Sequence, residues 1–282
     1  MIAFITSIRH PDNSASYSRV ENLLEDTLRS VAGQVDQDFV VIVVGNRAPS
    51  FPLPERTVFV PVDFPAPAPP TGPRTARAPF VWDKGTKIGV GLIAARSYSP
   101  DFVMIFDADD FVSRRLSGFV KDHADCQGWV IEKGWMYSGS RGVFRMIPRF
   151  NRTCGTSFIL PFDAYSVPSD VGVGADQQTI AAAYGELLFN IMGAHRDAVE
   201  WHEAHGRNLQ VLPFRGAVYH VDTGENHSGK SMTGIAFPAT RALLREFGIR
   251  DSRSLVRRAW SSFGPRPISE TSKAVARRAI RR

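Results

Sequence analysis

The chain has 282 residues, of which 43% are hydrophobic, and this is ample for a buried core in one large domain or two small ones. No stretch reaches the roughly 18 to 20 apolar residues of a membrane-spanning helix, and the apolar N-terminus is too short for a signal peptide. The net charge of +6 comes from the C-terminal tail, because residues 250–282 hold nine Arg, one Lys and two acids. We therefore expect a cytoplasmic protein with a nearly neutral body and a basic tail.

The first third of the chain predicts alternating strands and helices. In chain order these are a strand at 2–5, a helix at 20–31, strands at 39–44 and 58–62, a proline-rich loop at 64–79, a helix at 86–96 and a strand at 102–106. The run FVVIVV at 39–44 is typical of a strand buried on both faces of a parallel sheet. The order β-α-β-β-α-β predicts a mostly parallel α/β sheet, in which ligands bind at the carboxyl ends of the strands.

Beyond residue 110 the pattern changes. The predicted elements are a helix at 113–124, a strand-like segment at 129–137, a mixed stretch at 139–163, a long helix at 176–192, a short helix at 196–205 and a strand at 216–219. The two cysteines, Cys126 and Cys154, have no metal-ligand spacing and predict plain, partly buried thiols.

An acidic cluster follows the strand at 102–106. Asp107, Asp109 and Asp110 would repel one another at the end of a buried strand unless a cation or hydrogen-bond donors compensate their charge. Mg²⁺ or Mn²⁺ prefers carboxylate oxygens and takes its other ligands from water and phosphates, so the pattern suits a diphosphate-bound cation. The alternative is an acidic turn that caps the next helix through Asp110 or Ser113.

Three segments together resemble a known family. FITSIRH at 4–10, LLEDTLRSVAGQVDQDFVVIVVGN at 23–46 and FVMIFDADDFVS at 102–113 are similar to the opening β-α-β unit and the Asp-x-Asp strand end of family 2 glycosyltransferases. The resemblance covers residues 1–125 and becomes thinner towards residue 230. It implies a GT-A (Rossmann-like) fold, a nucleoside-diphosphate sugar donor with UDP-sugar favoured, Mn²⁺ or Mg²⁺, and inverting transfer to a glycan, lipid or lipid-linked hydroxyl.

The resemblance also implies roles for single residues of the donor site. Thr6 and Ser7 should lie near the nucleobase, and Asn46 stands where the family usually has Asp. In WDKGTK, Asp83 should point towards base or ribose and Lys87 towards phosphate, although an i,i+4 surface ion pair is the alternative. Asp107 should serve ribose and metal, and Asp109 the metal.

The general base implied by the resemblance lies in a Glu-Asp pair at a helix start. The nearest match is Asp176, preceded by Ala175 where the family has Glu. One carboxylate can remove the proton of the acceptor hydroxyl, so we expect Asp176 to be the base. A plain helix N-cap is the alternative for Asp176, and Asp163 and Asp170 are the other candidates.

The third metal ligand implied by the resemblance is a C-terminal His. The segment YHVDTGENHS at 219–228 is similar to the family's Tyr-Arg-Val-His-Gly-Gly-Asn-x-Ser region but has one extra residue. We expect His220 to be the ligand, with His227, Asp222 and His195 as alternatives. The loop GENHSGKS at 224–231 could close over the diphosphate, but it lacks the frame of an ATP-binding P-loop.

The predicted organisation has three parts: a nucleotide-sugar-binding half at 1–125, an acceptor-binding and catalytic half of the same domain at 126–235, and a basic helical tail at 236–282. The tail could hold the protein peripherally on the inner, anionic face of a membrane, or bind nucleic acid, which is less favoured; otherwise it packs back on the body.

Three rival functions remain for the whole chain. They are a non-catalytic nucleotide-sugar-binding protein, a glycosyltransferase acting on nucleic acid, and a nucleotidyltransferase. SIRHPDNSAS disfavours the nucleotidyltransferase, since it has no glycine after the first strand.

Overall fold

A computed structural model describes residues 1–68, 78–225 and 229–280. The first half comprises β1 (Ile2–Ser7), α1 (Tyr17–Val31), β2 (Phe39–Gly45), β3 (Thr57–Pro61), α2 (Ala78–Ala95), β4 (Phe102–Ile105), β5 (Phe111–Val112) and α3 (Leu116–Lys121). The second half comprises β6 (Trp129–Val130), β7 (Lys133–Ser138), β8 (Val143–Pro148), β9 (Phe158–Pro161), α4 (Gln177–Tyr184), a π-helix (Leu188–Met192), α5 (Ala198–Ala204), β10 (Gln210–Val211), β11 (Ala217–Val221), β12 (Phe237–Pro238), α6 (Arg241–Glu246), α7 (Leu255–Phe263) and α8 (Pro265–Ile280).

The central sheet has seven strands in the order β3-β2-β1-β4-β9-β6-β10. Strands β1 to β4 run parallel, β9 is antiparallel to both of its neighbours, and β10 is parallel to β6. The predicted α/β class, a mostly parallel sheet flanked by helices, is therefore confirmed. Since β2 and β3 lie on one side of β1 and β4 on the other, the strand order reverses at the β1/β4 pair, where such sheets bind ligands.

A second sheet of five strands, in the order β12-β8-β7-β11-β5, continues from the acidic residues. The sequence predicts one strand-like segment at 129–137, but β6 belongs to the central sheet and β7 to the second sheet. The chain therefore changes sheets at Ile131 and Glu132, between the two strands.

Helices cover both faces of the central sheet. Successive residues of a strand point to opposite faces, so Phe4 of β1 packs with Leu24 and Leu28 of α1, while Ile5 packs with α2 on the other face. None of the helices within the described residues is long and apolar enough to span a bilayer.

Helix α2 is the most deeply buried helix that contributes to the site. It begins at Ala78, eight residues before the predicted start, and is almost wholly buried from Asp83 onward. Its glycines permit this close packing: a Cβ on Gly85 would lie 2.7 Å from Leu188, and one on Gly89 would lie 2.8 Å from Tyr184. Two charged residues of α2, Asp83 and Lys87, are buried in this close packing.

The single long helix predicted at 176–192 is wrong. Helix α4 ends at Tyr184, because Gly185 has φ +53° and ψ −123°, which an α-helix excludes. The chain then resumes as the five-residue π-helix, which packs against α2. The break brings the segment after Met192, including His195, back towards the start of α2, where Gly193 lies against Val81.

Candidate active site

The acidic cluster lies where the strand order of the central sheet reverses. Ile5 is paired with Ile105 across β1 and β4, and the Phe106 N–H donates to the Ile5 carbonyl at 3.0 Å. Thr6 and Ser7 are therefore level with Phe106 and Asp107. The acids occupy the tight connection from β4 to β5, which the Asp110 N–H closes by donating to the Asp107 carbonyl at 3.1 Å.

Asp107 forms an ion pair with Lys84 of α2. Lys84 Nζ donates to Asp107 Oδ1 at 2.5 Å, and both side chains are about a quarter to a third exposed. Burial alone would raise the pKa of Asp107, but the charge and hydrogen bond of Lys84 outweigh it and hold that pKa below its ordinary value. The same contact raises the pKa of Lys84 despite burial, so both groups carry charge at neutral pH.

The loop at Gly155 closes over this ion pair. A Cβ on Gly155 would lie 2.9 Å from Asp107 Oδ2 and 3.2 Å from Lys84 Nζ. The next residue, Thr156, accepts a hydrogen bond from the Asp107 N–H at 2.9 Å. Only a glycine lets the backbone approach this closely without moving one of the two charged side chains.

Asp110 has a structural position. It is fully buried, its Oδ1 accepts from the His220 N–H at 3.1 Å, and its Oδ2 accepts from Thr156 Oγ1 at 2.6 Å and Cys154 Sγ at 2.9 Å. Burial, with the charges of Asp109 and Asp107, raises the pKa of Asp110 well above its usual range. Asp110 thus ties the acidic turn to β11 and to the loop before β9.

Asp109 is close enough to Asp107 and Arg9 for both charges to act on it. Burial and the Asp107 charge raise the pKa of Asp109 to about 7, and the Arg9 charge opposes this. Arg9 is held by Glu225, which accepts from Arg9 Nη1 at 2.8 Å and from the Ser16 N–H at 3.1 Å. A further positive charge beside Asp109 would stabilise its ionised form.

The chemistry of the donor groups suits a hard cation at Asp107. Within the described residues, Asp107, Asp110 and Cys154 form the group of side chains that could hold a metal ion. Each places one potential ligand atom within 4.8 Å of the others. Burial and the neighbouring Asp110 raise the pKa of the Cys154 thiol well above its usual range, so it is protonated, and both Asp110 oxygens already accept hydrogen bonds. A hard cation such as Mg²⁺ or Mn²⁺ therefore fits the Asp107 carboxylate better than it fits Cys154, and the Asp109 carboxylate does not belong to this group of ligand atoms.

Two of the histidines proposed as ligands, His195 and His220, lie near the acidic turn. His220 packs its ring against Phe111 and Tyr137, with ring centroids 5.1 Å and 5.5 Å away, and burial lowers its pKa to about 4. His195 lies near the ion pair: burial lowers its pKa to about 4, the charge of Lys84 lowers it further and that of Asp107 opposes. Asp222 accepts from Ser138 Oγ at 2.6 Å, and His227 lies outside the described residues.

Three predicted nucleotide-binding residues present a buried oxygen atom without a partner. These atoms are Thr6 Oγ1, Asn46 Oδ1 and Asp83 Oδ1, none of which has a hydrogen bond to any residue that the structure describes. Thr6 is the second-last residue of β1, Asn46 follows β2 directly, and Asp83 lies in the first half of α2. Ser7, the last residue of β1, is partly exposed. Buried polar atoms normally have partners, so orphaned oxygens here are consistent with a ligand that donates hydrogen bonds.

Lys87 lies deeper than a phosphate contact requires. Its ammonium is fully buried and donates to Asp83 Oδ2 at 2.9 Å and to the Ile8 carbonyl at 3.1 Å. Burial lowers the pKa of Lys87, while Asp83 opposes that shift. The ion pair with Asp83 exists, but in the core and not on the surface, and it fixes the end of β1 against α2.

Asp176 is the N-cap of α4. Its Oδ1 accepts from the Thr179 N–H at 2.8 Å and its Oδ2 from Thr179 Oγ1 at 2.9 Å, and these bonds lower its pKa. The next residue, Gln177, donates to Thr86 Oγ1 of α2 at 3.0 Å, so the start of α4 is fixed near the helix that carries Lys84. Of the other base candidates, Asp163 pairs with Arg207 and Asp170 is exposed.

Sequence reasoning missed three residues at this site. Lys84, Arg9 and Gly155 have no partner at a regular sequence spacing, because Lys84 reaches Asp107 and Arg9 reaches Glu225 only through the fold. The i,i+4 spacing of Asp83 and Lys87 favours that pair over Lys84, which lies between them. No signal in one sequence singles out Gly155 among 23 glycines.

Comparison with known proteins gives structural likenesses only. No protein-family model and no curated protein matches the chain. S. aureus TarS 1–349 in complex with UDP aligns with 78% of this chain and 61% of its own, with 14% identity and a TM-score of 0.41. A provisionally named nucleotide-diphospho-sugar transferase from Desulfovibrio desulfuricans aligns with 78% and 80%, with 10% identity and a TM-score of 0.34.

The chain thus spans about 60% of the length of the TarS 1–349 structure. At this level of identity and superposition, the function of this chain rests on the residues of its own site.

Proposed function

We propose that this protein is a GT-A-type glycosyltransferase that moves a sugar, with inversion, from a nucleoside-diphosphate sugar to a hydroxyl acceptor. The observation that carries the proposal is the position of the acidic turn: Asp107 and Asp109 lie at the β1/β4 reversal of a mostly parallel sheet, beside two cations, Lys84 and Arg9. Carboxylates suit a divalent cation, and the Lys84 and Arg9 cations suit the diphosphate that such a cation accompanies.

The donor nucleotide would lie across the ends of β1 and β2. The unpartnered oxygens of Thr6, Asn46 and Asp83 would accept hydrogen bonds from base or ribose. Lys84 is the ammonium with access to the diphosphate, since Lys87 is enclosed. Asp107 would meet the ribose and the metal, and a UDP-sugar is the expected donor.

A metal would be held by Asp107 and Asp109, with His195 or His220 as the third protein ligand. When bound, Mn²⁺ or Mg²⁺ supplies positive charge that stabilises the leaving diphosphate. His195 is favoured over His220 by its position near Asp107 and Lys84, because the His220 ring lies against aromatic residues of the second sheet.

In the transfer step, the acceptor hydroxyl forms a bond to the anomeric carbon while the bond from that carbon to the diphosphate breaks on the opposite face. Asp176 takes the hydroxyl proton, and the nucleoside diphosphate leaves. The hydrogen bonds from Thr179 lower the pKa of Asp176, so its carboxylate is ionised but is a weaker base than a free aspartate.

Nucleotide binding can be tested by thermal shift. UDP, GDP, dTDP and CMP are compared with and without Mn²⁺ on the wild type and on Asp109→Ala. We expect one diphosphate to raise the melting temperature in a metal-dependent way, and Asp109→Ala to lose the metal-dependent part. If none of the nucleotides stabilises the wild type, the donor site does not exist as proposed.

Catalysis is separated from mere binding by Asp176→Asn. Donor hydrolysis should fall about a hundredfold or more, as for loss of a general base, while nucleotide binding persists. Asp163→Asn and Asp170→Asn are matched controls expected to retain turnover. Unchanged turnover in Asp176→Asn would remove this residue as base, and a wild type that binds nucleotide but never turns over would favour the non-catalytic binding protein.

A further inference from the structure

Helix α7, the second-last helix that the structure describes, has its apolar side turned away from the protein. Val256, Trp260 and Phe263 are spaced four and three residues apart and are 80%, 68% and 52% exposed, whereas Arg258 and Ser262, four residues apart on the opposite side, are buried. Amphipathic helices of globular proteins normally bury the apolar side. We call Val256, Trp260 and Phe263 the α7 apolar face.

Hydrogen bonds of the buried side fix this orientation. Arg258 donates to the Ala239 carbonyl and the Asp251 carbonyl at 2.8 Å each, and its Nε lies 3.3 Å from Asp251 Oδ2. Arg141 of the body donates to the Ser261 carbonyl at 2.6 Å. Rotating α7 to bury the apolar face would leave the Arg258 guanidinium and the carbonyls that accept from Arg258 and Arg141 without hydrogen-bond partners. The free-energy cost would exceed the gain from burying three apolar side chains.

Helix α8 is attached to the same part of the body. The Gly234 N–H donates to Glu270 at 2.7 Å, and the Ile235 N–H donates to Thr271 Oγ1 at 2.9 Å. The expectation that the tail packs back on the body therefore describes one side of α7 and α8. The other side of α7 remains exposed, held in a fixed orientation by the body.

The chain segment that carries this face, residues 241–273, has an excess of positive charge. Arg241, Arg245, Arg250, Arg257 and Lys273 are exposed, and within the described residues none of them forms a salt bridge. The three acids between residues 241 and 273 all have arginine partners: Asp251 pairs with Arg253 and Arg258, Glu270 pairs with Arg266, and Glu246 pairs with Arg115 of the body. Four further arginines lie between residues 277 and 282.

We propose that the α7 apolar face inserts into the surface of an anionic lipid bilayer, with the surrounding basic residues on the headgroups. Apolar residues with an aromatic ring on one side and Arg and Lys around them are the composition of helices that lie in a membrane interface. Charge complementarity selects anionic over neutral lipid, since each Lys or Arg near such a surface contributes favourably. This surface is separate from the proposed donor site and does not depend on it.

Co-sedimentation of the full chain with vesicles tests the proposal. Vesicles of phosphatidylcholine alone are compared with vesicles that also contain phosphatidylglycerol, at low and high salt. We expect binding only with phosphatidylglycerol and weaker binding at high salt. Trp260→Ser should weaken binding about tenfold through lost apolar burial, and Arg257→Gln about fivefold through one lost charge.

Matched controls separate the face from a general loss of hydrophobicity. Val256→Ser is compared with Val35→Ser, whose side chain is 60% exposed elsewhere on the protein. Only Val256→Ser should reduce binding. Tryptophan emission should shift to the blue on vesicles in the wild type and in Val35→Ser, while Trp260→Phe should bind without that shift. All of these side chains are exposed, so melting temperatures should stay near the wild-type value.

Three results would overturn the proposal. Vesicle binding that Trp260→Ser and Val256→Ser leave unchanged would show that the apolar face takes no part. Sedimentation equilibrium that finds a wild-type dimer lost in Trp260→Ser, without vesicle binding, would assign the face to a second copy of the chain. Retention on duplex DNA lost in Arg257→Gln but kept in Trp260→Ser, again without vesicle binding, would assign the tail to nucleic acid.

Discussion

Asp107, Asp109 and Asp110 are chemically identical and adjacent, yet their surroundings give them different properties. Asp107 is partly exposed and paired with Lys84, Asp109 has a pKa near 7, and Asp110 is enclosed by hydrogen-bond donors. Burial and neighbouring charge make this difference, and only Asp107 and Asp109 have capacity left for a ligand. Asp110 of the acidic turn therefore has a structural position, and the proposed ligand roles fall to Asp107 and Asp109.

Lys84→Gln tests the residue that the sequence did not single out. Under the proposed function it should weaken UDP binding about tenfold or more, because one charge-assisted hydrogen bond contributes roughly 1.5 to 3 kcal/mol. Isothermal titration calorimetry at a fixed Mn²⁺ concentration measures this. The control is Lys121→Gln, which removes the ion pair of the exposed Lys121 side chain with Asp36 and should bind UDP like the wild type. Equal affinities for the two variants would argue against a diphosphate contact at Lys84.

At the scale of elements, α2 decides where the charges of the site lie. Its glycines let it pack against α4 and the π-helix on one side and against β1 on the other, where a Cβ on Gly91 would lie 2.5 Å from Ile5. Residues that a sequence pattern places on a helix surface, Asp83 and Lys87, are thereby enclosed. Lys84, on another side of the helix, reaches Asp107.

Gly89→Ala tests this packing. Its Cβ would lie 2.8 Å from the Tyr184 ring and 2.9 Å from Ile180. Overpacking costs about 1 to 3 kcal/mol, while the higher helix propensity of alanine returns up to about 1 kcal/mol. We expect urea unfolding to show a net destabilisation of about 1 to 2 kcal/mol. Gly172→Ala is the control, since no atom lies within 4 Å of its Cβ, and its stability should match the wild type.

At the scale of the whole molecule, buried His202 should lower stability in weak acid, while the raised pKa values of Asp109 and Asp110 act in the opposite direction. His202 of α5 is 1% exposed, and burial lowers its pKa to about 4. Below pH 6.5 the unfolded chain binds a proton that the folded protein excludes until about pH 4, so the contribution of His202 to stability decreases as the pH falls through this window. The contribution is about 2 kcal/mol between pH 7 and pH 5.

Denaturant unfolding at several pH values measures this effect. The difference in stability between the wild type and His202→Gln should change by that amount between pH 7 and pH 5, and a curve parallel to the wild type would contradict the assignment. His195 and His220, whose pKa values burial also lowers to about 4, act in the same direction.

The sequence by itself determined the elements whose hydrophobic pattern is regular. Strands β1 to β4, helix α1 and the α/β class follow from buried β-branched runs and helical spacing, and the acidic turn follows from three acids after a strand. These features depend on neighbours along the chain, which one sequence displays directly. The break at Gly185 also has a local cause, but a glycine inside a helical pattern does not by itself predict the φ that it adopts.

Only the tertiary structure decided which charges meet. Lys84 with Asp107, Arg9 with Glu225, and Asp110 with Thr156 join residues that are 23 to 216 positions apart. The sequence also shows that the tail mixes basic with apolar residues. It does not predict that Arg258 faces inward and Trp260 outward. In each case burial and long-range hydrogen bonding set the outcome, and these are properties of the packed chain that sequence spacing does not contain.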